Sequence, residues 1–247
     1  IGNFGILRCL EQIRNDACYH EANITIIANG GGFSYGSLGM SHHTTEDLAI
    51  LRSLPNISVV APCTAQEAGE AITAMIKNGG TGYLRLDKTV AKDCFSEDPF
   101  VIGKSRRYKE GKDITLIATG SILGDANIAS VELKKLGIDA RVVGMHSIKP
   151  IDVDEIIDAA TNTGGIVTIE EHNKDGGLGS AISEVCMDFG VMPNKFLRIG
   201  LDNKYSSIVG SQSYLRSRYE MDSKAIINKV KKIFNSWKGL LFKRWFS

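Results

Sequence analysis

Two hydrophobic rhythms alternate along this chain. Between Phe4 and Tyr19, the residues Ile6, Leu7, Leu10, Ile13 and Ala17 recur at helical spacing and predict a helix with one apolar face. Ile24 to Ala28 is a short apolar run rich in β-branched residues, which predicts a buried strand. The alternation then continues. Thr44 to Ser53 reads as a helix closed by Leu54-Pro55-Asn56, and Ile57 to Ala61 as a strand ended by Pro62. Thr64-Ala65-Gln66-Glu67 matches a capping box opening a helix to Lys77, which Asn78-Gly79-Gly80 stops before a strand over Gly82 to Leu86. Glu46 and Asp47 lie in the first turn of their helix, where the dipole favours negative charge.

From Asp87 to Gly111 the pattern is irregular, and Lys104-Ser105-Arg106-Arg107 and Lys109-Glu110-Gly111-Lys112 give it the character of a linker. A second series follows. Strands are predicted over Ile114 to Thr119, Ala140 to Met145, Gly165 to Glu170 and Phe196 to Ile199. Helices are predicted over Leu123 to Leu136 with Gly137 as stop, Pro150 to Ala160 entered through Asp152, Leu178 to Phe189, and Met221 to Phe234. Strand and helix alternating with short links predict an α/β fold: two parallel or mostly parallel sheets flanked by helices, in domains spanning residues 1–108 and 109–234. Residues 235–247 form a basic-aromatic tail in which Trp237 and Leu241 share a helix face with Ile233 and Phe234. It suits either an interfacial membrane helix or a docking or loosely held end; the second is the commoner behaviour of a terminus.

Composition narrows the class. The 247 residues are 43% hydrophobic and 23% charged with a net charge of +1, an ordinary globular balance without the basic stripe that nucleic acid needs. The five cysteines are scattered and odd in number, so they read as reduced thiols of a cytoplasmic protein. No apolar run is long enough to span a bilayer. The chain opens on Ile1 directly before a helix pattern, and an N-terminal piece is expected to precede it.

The candidate chemistry sits in the stretch after the first strand, Gly30-Gly31-Gly32-Phe33-Ser34-Tyr35-Gly36-Ser37-Leu38-Gly39-Met40-Ser41-His42-His43. Five glycines among residues 30–39 permit positive φ and close approach of backbone to a ligand. Two adjacent imidazoles bring proton transfer near neutral pH. No GxxxxGK[ST] or GxGxxG occurs, no G-x-S-x-G elbow surrounds Ser34, Ser37 or Ser41, and adjacent histidines point apart rather than at one metal. Proton transfer or oxyanion stabilisation on a substrate held by the loop remains.

Several co-ordered motifs carry a resemblance. Ile1-Gly2-Asn3-Phe4, Arg8-Cys9-Leu10-Glu11-Gln12-Ile13-Arg14-Asn15-Asp16, the glycine loop with Ser41-His42-His43, Glu46-Asp47 and Leu51-Arg52-Ser53-Leu54-Pro55-Asn56 resemble the pyrimidine-binding domain of transketolases. Thr168-Ile169-Glu170-Glu171-His172 followed by Gly176-Gly177-Leu178-Gly179-Ser180 is similar to the transketolase C-terminal domain. Together they cover residues 1–234 and look closest to separately encoded C-terminal halves of transketolase.

The resemblance implies a thiamine diphosphate-dependent subunit that transfers a two-carbon ketol unit between sugars or sugar phosphates. The cofactor is shared with a partner subunit, whose pyrophosphate domain holds the diphosphate and Mg²⁺, in a dimer or heterotetramer. It implies His42 as the catalytic group near the aminopyrimidine ring and the substrate carbonyl, Phe4 as the aromatic beside that ring, and Gly31 and Gly32 against the cofactor. His43, Leu38 and Arg85 fall on substrate-facing positions; Arg8 and Arg14 share a helix that could meet a partner subunit or simply face solvent. His172 is expected in a turn or at a subunit contact.

Departures from the pattern carry information as well. The family's catalytic glutamate would lie upstream of Ile1, and Glu11 and Glu21 do not replace it. Gly124-Asp125-Ala126-Asn127 lies inside a predicted helix and is rejected as a GDG motif. Where pentose-phosphate enzymes carry an acidic sugar-reading residue, this chain has Leu38, and their phosphate-binding histidine falls on Gly30. Those changes predict an unphosphorylated or otherwise modified sugar. Two other readings stay open: a 1-deoxyxylulose-phosphate-synthase-like enzyme, and a non-catalytic scaffold or regulatory subunit.

Overall fold

A computed structural model describes residues 1–244, with side chains through residue 234; the side chains of the tail over 235–247 lie outside the described residues. The elements follow the predicted alternation. A helical N-terminal segment comprises α1 (Gly2–Arg8), a short α2 (Leu10–Gln12) and a π-helical turn (Ile13–Cys18). Then come β1 (Thr25–Asn29), α3 (Asp47–Arg52), β2 (Ile57–Val60), α4 (Ala65–Asn78) and β3 (Thr81–Leu86). The second series is β4 (Arg106–Lys109), β5 (Ile114–Thr119), α5 (Leu123–Lys135), β6 (Ala140–Gly144), β7 (Ser147–Lys149), α6 (Val153–Asn162), β8 (Ile166–Asn173), α7 (Leu178–Asp188), β9 (Phe196–Leu201), α8 (Gln212–Arg218) and α9 (Ser223–Arg244).

Two sheets form, as expected. The first has strand order β1-β3-β2-β7 and the second β4-β6-β5-β8-β9. β1, β3 and β2 pair in parallel, as do β6, β5, β8 and β9. All six residues of β5 are buried, Thr115 and Thr119 included, so its sequence does not show the strict apolar–polar alternation of a half-buried strand. The Thr64 half of the capping box forms, accepting from the Glu67 backbone N–H at 3.1 Å, while the Glu67 carboxylate reaches one residue past the cap to the Cys63 N–H at 2.7 Å.

Two expectations are corrected, and two elements had no prediction. Residues 106–109, read as linker, are strand β4, antiparallel to β6; three basic residues in four give this edge strand the composition of a loop. β4 therefore spans the expected 108/109 boundary. Residues 147–149, between a strand and a helix of the second series, form β7 and cross to the first sheet, antiparallel to β2. The strand after the first helix is an edge strand, paired only to β3 among the described residues, with Ile27 53% exposed, so its apolar run does not mean burial. α8 had no prediction; its seven residues carry too few apolar positions to show a period. Two large apolar clusters result, one joining α3, β2, β7, α6 and α7 and one surrounding α5, β5 and α9.

Candidate active site at the glycine loop

The parallel strands bring their carboxyl ends to one junction between the sheets, the place where α/β folds put functional groups. β1 delivers Gly30 to Gly32, β3 delivers Arg85 and Asp87, β5 delivers Gly120 and Ser121, and β8 delivers Glu171. The loop leaves β1 with the Gly30 and Gly31 N–H groups both donating to the Leu86 carbonyl, at 2.7 and 3.1 Å. It is closed by a two-hydrogen-bond bridge: Gly32 N–H to Thr44 O at 2.8 Å, Thr44 N–H to Gly32 O at 2.9 Å. Within that neck lie two tight turns, Gly36–Leu38 and Met40–His42, separated by Gly39 at φ +83°. Phe33 is wholly buried beneath them, edge-on to His43 at 5.1 Å and stacked on Tyr219 at 5.6 Å.

His42 is half-buried at the end of the second turn. Its ring stands edge-on to Phe4 with centroids 5.1 Å apart, and Ser41 Oγ lies 3.1 Å from its Nδ1. Asn3 fixes the turn from α1: its N–H donates to Thr44 Oγ1 at 3.1 Å and its Nδ2 to Ser41 O at 3.0 Å. The Arg8 guanidinium sits 4.8 Å over the Phe4 ring. Leu38 and Met40 are 54% and 50% exposed, so the loop tip is apolar. His43 faces the other way. It is buried, its Nε2 lies 3.3 Å from Gly36 O, and its Nδ1 has no partner among the described residues. It lines a cavity of about 370 Å³ with Asn3, Leu7, Met40, Glu46 and Tyr205. A larger hollow of about 630 Å³ lies along α4 and Phe100 and shares no residue with the loop.

Gly31, Gly32 and Arg85 lie together at the foot of the loop. Their close approaches are to the protein's own side chains. A Cβ on Gly31 would collide with Arg85 Nε and Asp87 Oδ1, and one on Gly32, at φ +54°, with the Glu171 carboxylate. Arg85 is buried, bonded to Asp47 Oδ1 at 3.3 Å and to the Glu171 carbonyl at 3.0 Å, with its Nε 3.6 Å from Asp87. Burial alone would draw the Arg85 guanidinium down, but Asp47 and Asp87 hold it above its ordinary value and keep it charged. Tyr83 donates to Asp47 Oδ2 at 2.6 Å, and burial together with that carboxylate pushes the phenol well up, so it stays a donor. Asp47 thus does more than complement a helix dipole.

The groups the sequence reading left without a role lie at the end of β8. Glu170 accepts from Leu178 N–H at 2.7 Å and Gly179 N–H at 2.9 Å, at the start of α7. Burial pushes its carboxyl up to about 7, against those two donors, which draw it down. Glu171 accepts from the Phe33 N–H, from Gln212 Nε2 at 2.9 Å and from Arg216. His172 is completely buried in the junction rather than in a turn or at a subunit contact. Its Nε2 accepts from Ala49 N–H at 3.4 Å and its Nδ1 donates to Asn173 O at 2.7 Å, and burial lowers its pKa, so the ring is neutral. Two adjacent carboxylates closing a buried strand were the available signal, since such charges require partners.

The Phe4 ring and the His42 imidazole are both partly exposed, with the Arg8 guanidinium beside them. Among the described residues no group of three or more His, Cys, Asp or Glu side chains converges to hold a metal, and no helix is long and apolar enough to cross a membrane.

The glycine-loop domain and the second parallel-sheet domain make this a two-domain α/β protein. The transketolase pyrimidine-binding domain matches residues 2–92 and the transketolase C-terminal domain residues 103–226, and the chain belongs to the transketolase family. An apulose-4-phosphate transketolase subunit of Phocaeicola vulgatus is 35% identical over 225 residues, 90% of this chain and 71% of that protein. A 1-deoxy-D-xylulose-5-phosphate synthase of Geobacter metallireducens is 32% identical over 230 residues, 91% of this chain but 36% of that protein. Among solved structures, a split-gene transketolase described as an inactive beta4 tetramer superposes with a TM-score of 0.81 at 33% identity, covering 94% of this chain and 73% of that one.

Proposed function

We propose that this chain supplies the aminopyrimidine-facing half of a two-subunit transketolase, with a partner subunit contributing the diphosphate and Mg²⁺ site. The observation that carries the reading is the half-exposed Phe4–His42 ring pair, 5.1 Å between centroids, presented by an otherwise tightly bonded loop. Thiamine diphosphate, when bound, supplies the carbon centre at which the bond beside a ketose carbonyl is broken and remade. This chain's residues do the rest of the work assigned to it. Phe4 packs against the heteroaromatic ring. Ser41 Oγ at Nδ1 orients the His42 imidazole, leaving Nε2, unpartnered among the described residues, to hold or move a proton at a substrate oxygen. His43 positions the turn from beneath. Leu38 presents an apolar surface to the sugar where a carboxylate would read a hydroxyl, which favours a donor or acceptor other than the usual pentose phosphates.

The test is reconstitution with the partner chain that carries the pyrophosphate domain, followed by ketol transfer with a panel of sugars. His42→Ala should leave thiamine diphosphate affinity within severalfold and lower kcat by on the order of 10²–10⁴-fold, the usual worth of a general acid–base group. Unchanged turnover in His42→Ala overturns the assignment, and normal turnover of xylulose 5-phosphate overturns the substrate reading. A synthase reading is supported by the 32% identity to the Geobacter enzyme; pyruvate consumption in place of ketol transfer would favour it.

A further inference from the structure

The glycine loop belongs to the first domain, yet both of its ends are also bonded to the second. At its entrance, the Phe33 N–H donates to the Glu171 carboxylate. At its exit, the Asn173 N–H donates to the Thr45 carbonyl at 2.8 Å and Asn173 Nδ2 reaches Glu46 Oε1 at 3.4 Å. One turn further on, the Ala49 N–H donates to His172 Nε2. Three successive residues of one strand end therefore grip both ends of the loop that carries His42. Nearby, Arg52 of α3 donates to the Gly176 carbonyl at 2.5 Å, adding a further bond between the domains.

Glu171 is the centre of this grip. It is 3% exposed and carries a negative charge that must be compensated. Arg216 supplies the compensation, and is itself tied to Asp125 at 3.1 Å and, through Nη2, to Ser121 Oγ at 2.7 Å. Burial alone would lower the Arg216 pKa, but Glu171 holds it raised, so the guanidinium stays charged. Ser121 in turn donates to Asp87 Oδ2, which leads back to Arg85 and Gly31. The loop and the ends of β3, β5, β8 and α8 are thus joined by one set of ion pairs and hydrogen bonds. Gly32 has no side chain where the Glu171 carboxylate lies, so the loop and the carboxylate can occupy adjacent space only in this arrangement.

We infer that Glu171 is a positioning residue for His42: the carboxylate at the end of β8 fixes the entrance of the glycine loop, so the C-terminal domain sets where the imidazole stands. The second domain thereby acts on the half-exposed Phe4–His42 face through the loop that carries it. The inference rests on the proposed function only for the consequence of moving His42, not for the movement itself.

The experiment uses the whole chain, labelled at histidine with ¹³C and ¹⁵N, as wild type, Glu171→Gln, Glu171→Ala and the control Glu184→Ala. Glu184 is an exposed partner of Arg52 across the same domain boundary. His42 is assigned by the loss of its signal in His42→Asn. Glu171→Ala is expected to shift or broaden the His42 resonances and to raise Phe33 amide exchange at least tenfold. Glu171→Gln, whose amide oxygen can still accept from Phe33, should recover most of both. Glu184→Ala should change neither. In the reconstituted enzyme Glu171→Ala should lower kcat by on the order of 10²-fold, as a misplaced catalytic group does, with the donor KM within about threefold. Unchanged His42 resonances and Phe33 exchange in a folded Glu171→Ala chain overturn the inference. If that variant does not fold, Glu171→Asp carries the test: it keeps the charge beside Arg216 but draws the carboxylate back from the Phe33 N–H by one methylene, and unchanged His42 resonances and Phe33 exchange in it overturn the inference. Shifted resonances with unchanged kcat support the positioning and refute the catalytic role of His42, so the two failures are distinguishable.

Discussion

Replacing Gly32 by alanine tests how strongly the loop is held, and Gly137→Ala supplies the reference. Both glycines have positive φ, +54° and +78°. A Cβ at Gly137 meets nothing within 4 Å, so that variant carries only the backbone penalty, about 1–2 kcal/mol. A Cβ at Gly32 carries the same penalty and also falls 2.7 Å from Cγ and 2.8 Å from Cδ of Glu171. The carboxylate cannot move aside freely, because Phe33, Gln212 and Arg216 all bind it. Displacing it forfeits hydrogen bonds to a charged group, about 1.5–3 kcal/mol each, offset in part because Arg216 keeps Asp125. Gly32→Ala should therefore destabilise the chain by about 2–4 kcal/mol more than Gly137→Ala, a difference built from that hydrogen-bond range. Urea unfolding followed by circular dichroism gives both values from the midpoint and slope. In a Glu171→Ala background the excess should shrink towards zero, since the obstructing group is gone. Equal losses in the two single variants, within about 0.5 kcal/mol as expected of independent sites, would refute the claim that Glu171 is pinned against the loop.

Thr64→Ala removes the side-chain acceptor of the α4 cap and should cost about 1 kcal/mol, read as a lower thermal midpoint by roughly 2–4 °C; no change would mean that Glu67 alone holds that helix start. Glu170 predicts a pH dependence. Its carboxyl is raised in the folded chain to about 7 from an ordinary 4.5, so its contribution is fully present below the unfolded value and is lost as pH rises through about 7. Relative to the uncharged Glu170→Gln variant, wild-type stability should fall by about 3 kcal/mol across that window, at 1.36 kcal/mol per pKa unit. Urea titrations at pH 4.5, 6 and 8 measure it, and a flat difference refutes it.

Particular elements show what could be read from the sequence and what could not. The helices from Leu123 and Leu178 and the buried strand from Ile114 carried strong periodic or continuous apolar signals, and they form where expected. β4 and β7 carried none, because a short edge strand and a three-residue crossover strand bury too little to impose a pattern. His42 and Phe4 were marked by motif and resemblance, and the fold sets them edge to edge. Gly31, Gly32 and Arg85 were marked by the same means, but the fold turns them inward onto carboxylates, some of them far away in sequence.

The sequence by itself determined the alternation of strand and helix, the two-sheet architecture, the glycine loop with its histidine pair, and the family to which those motifs belong. These are local properties: periodicity, caps and turn residues act over a few positions, and each leaves its mark where it acts. Tertiary structure alone decided that β7 crosses between sheets, that Ile27 is exposed, and that Glu171, Arg216, Asp87 and Arg85 meet at the foot of the loop. A buried charge is tolerated only beside its compensating partner, and which partner it finds depends on how the strand ends are brought together, a long-range fact with no local trace.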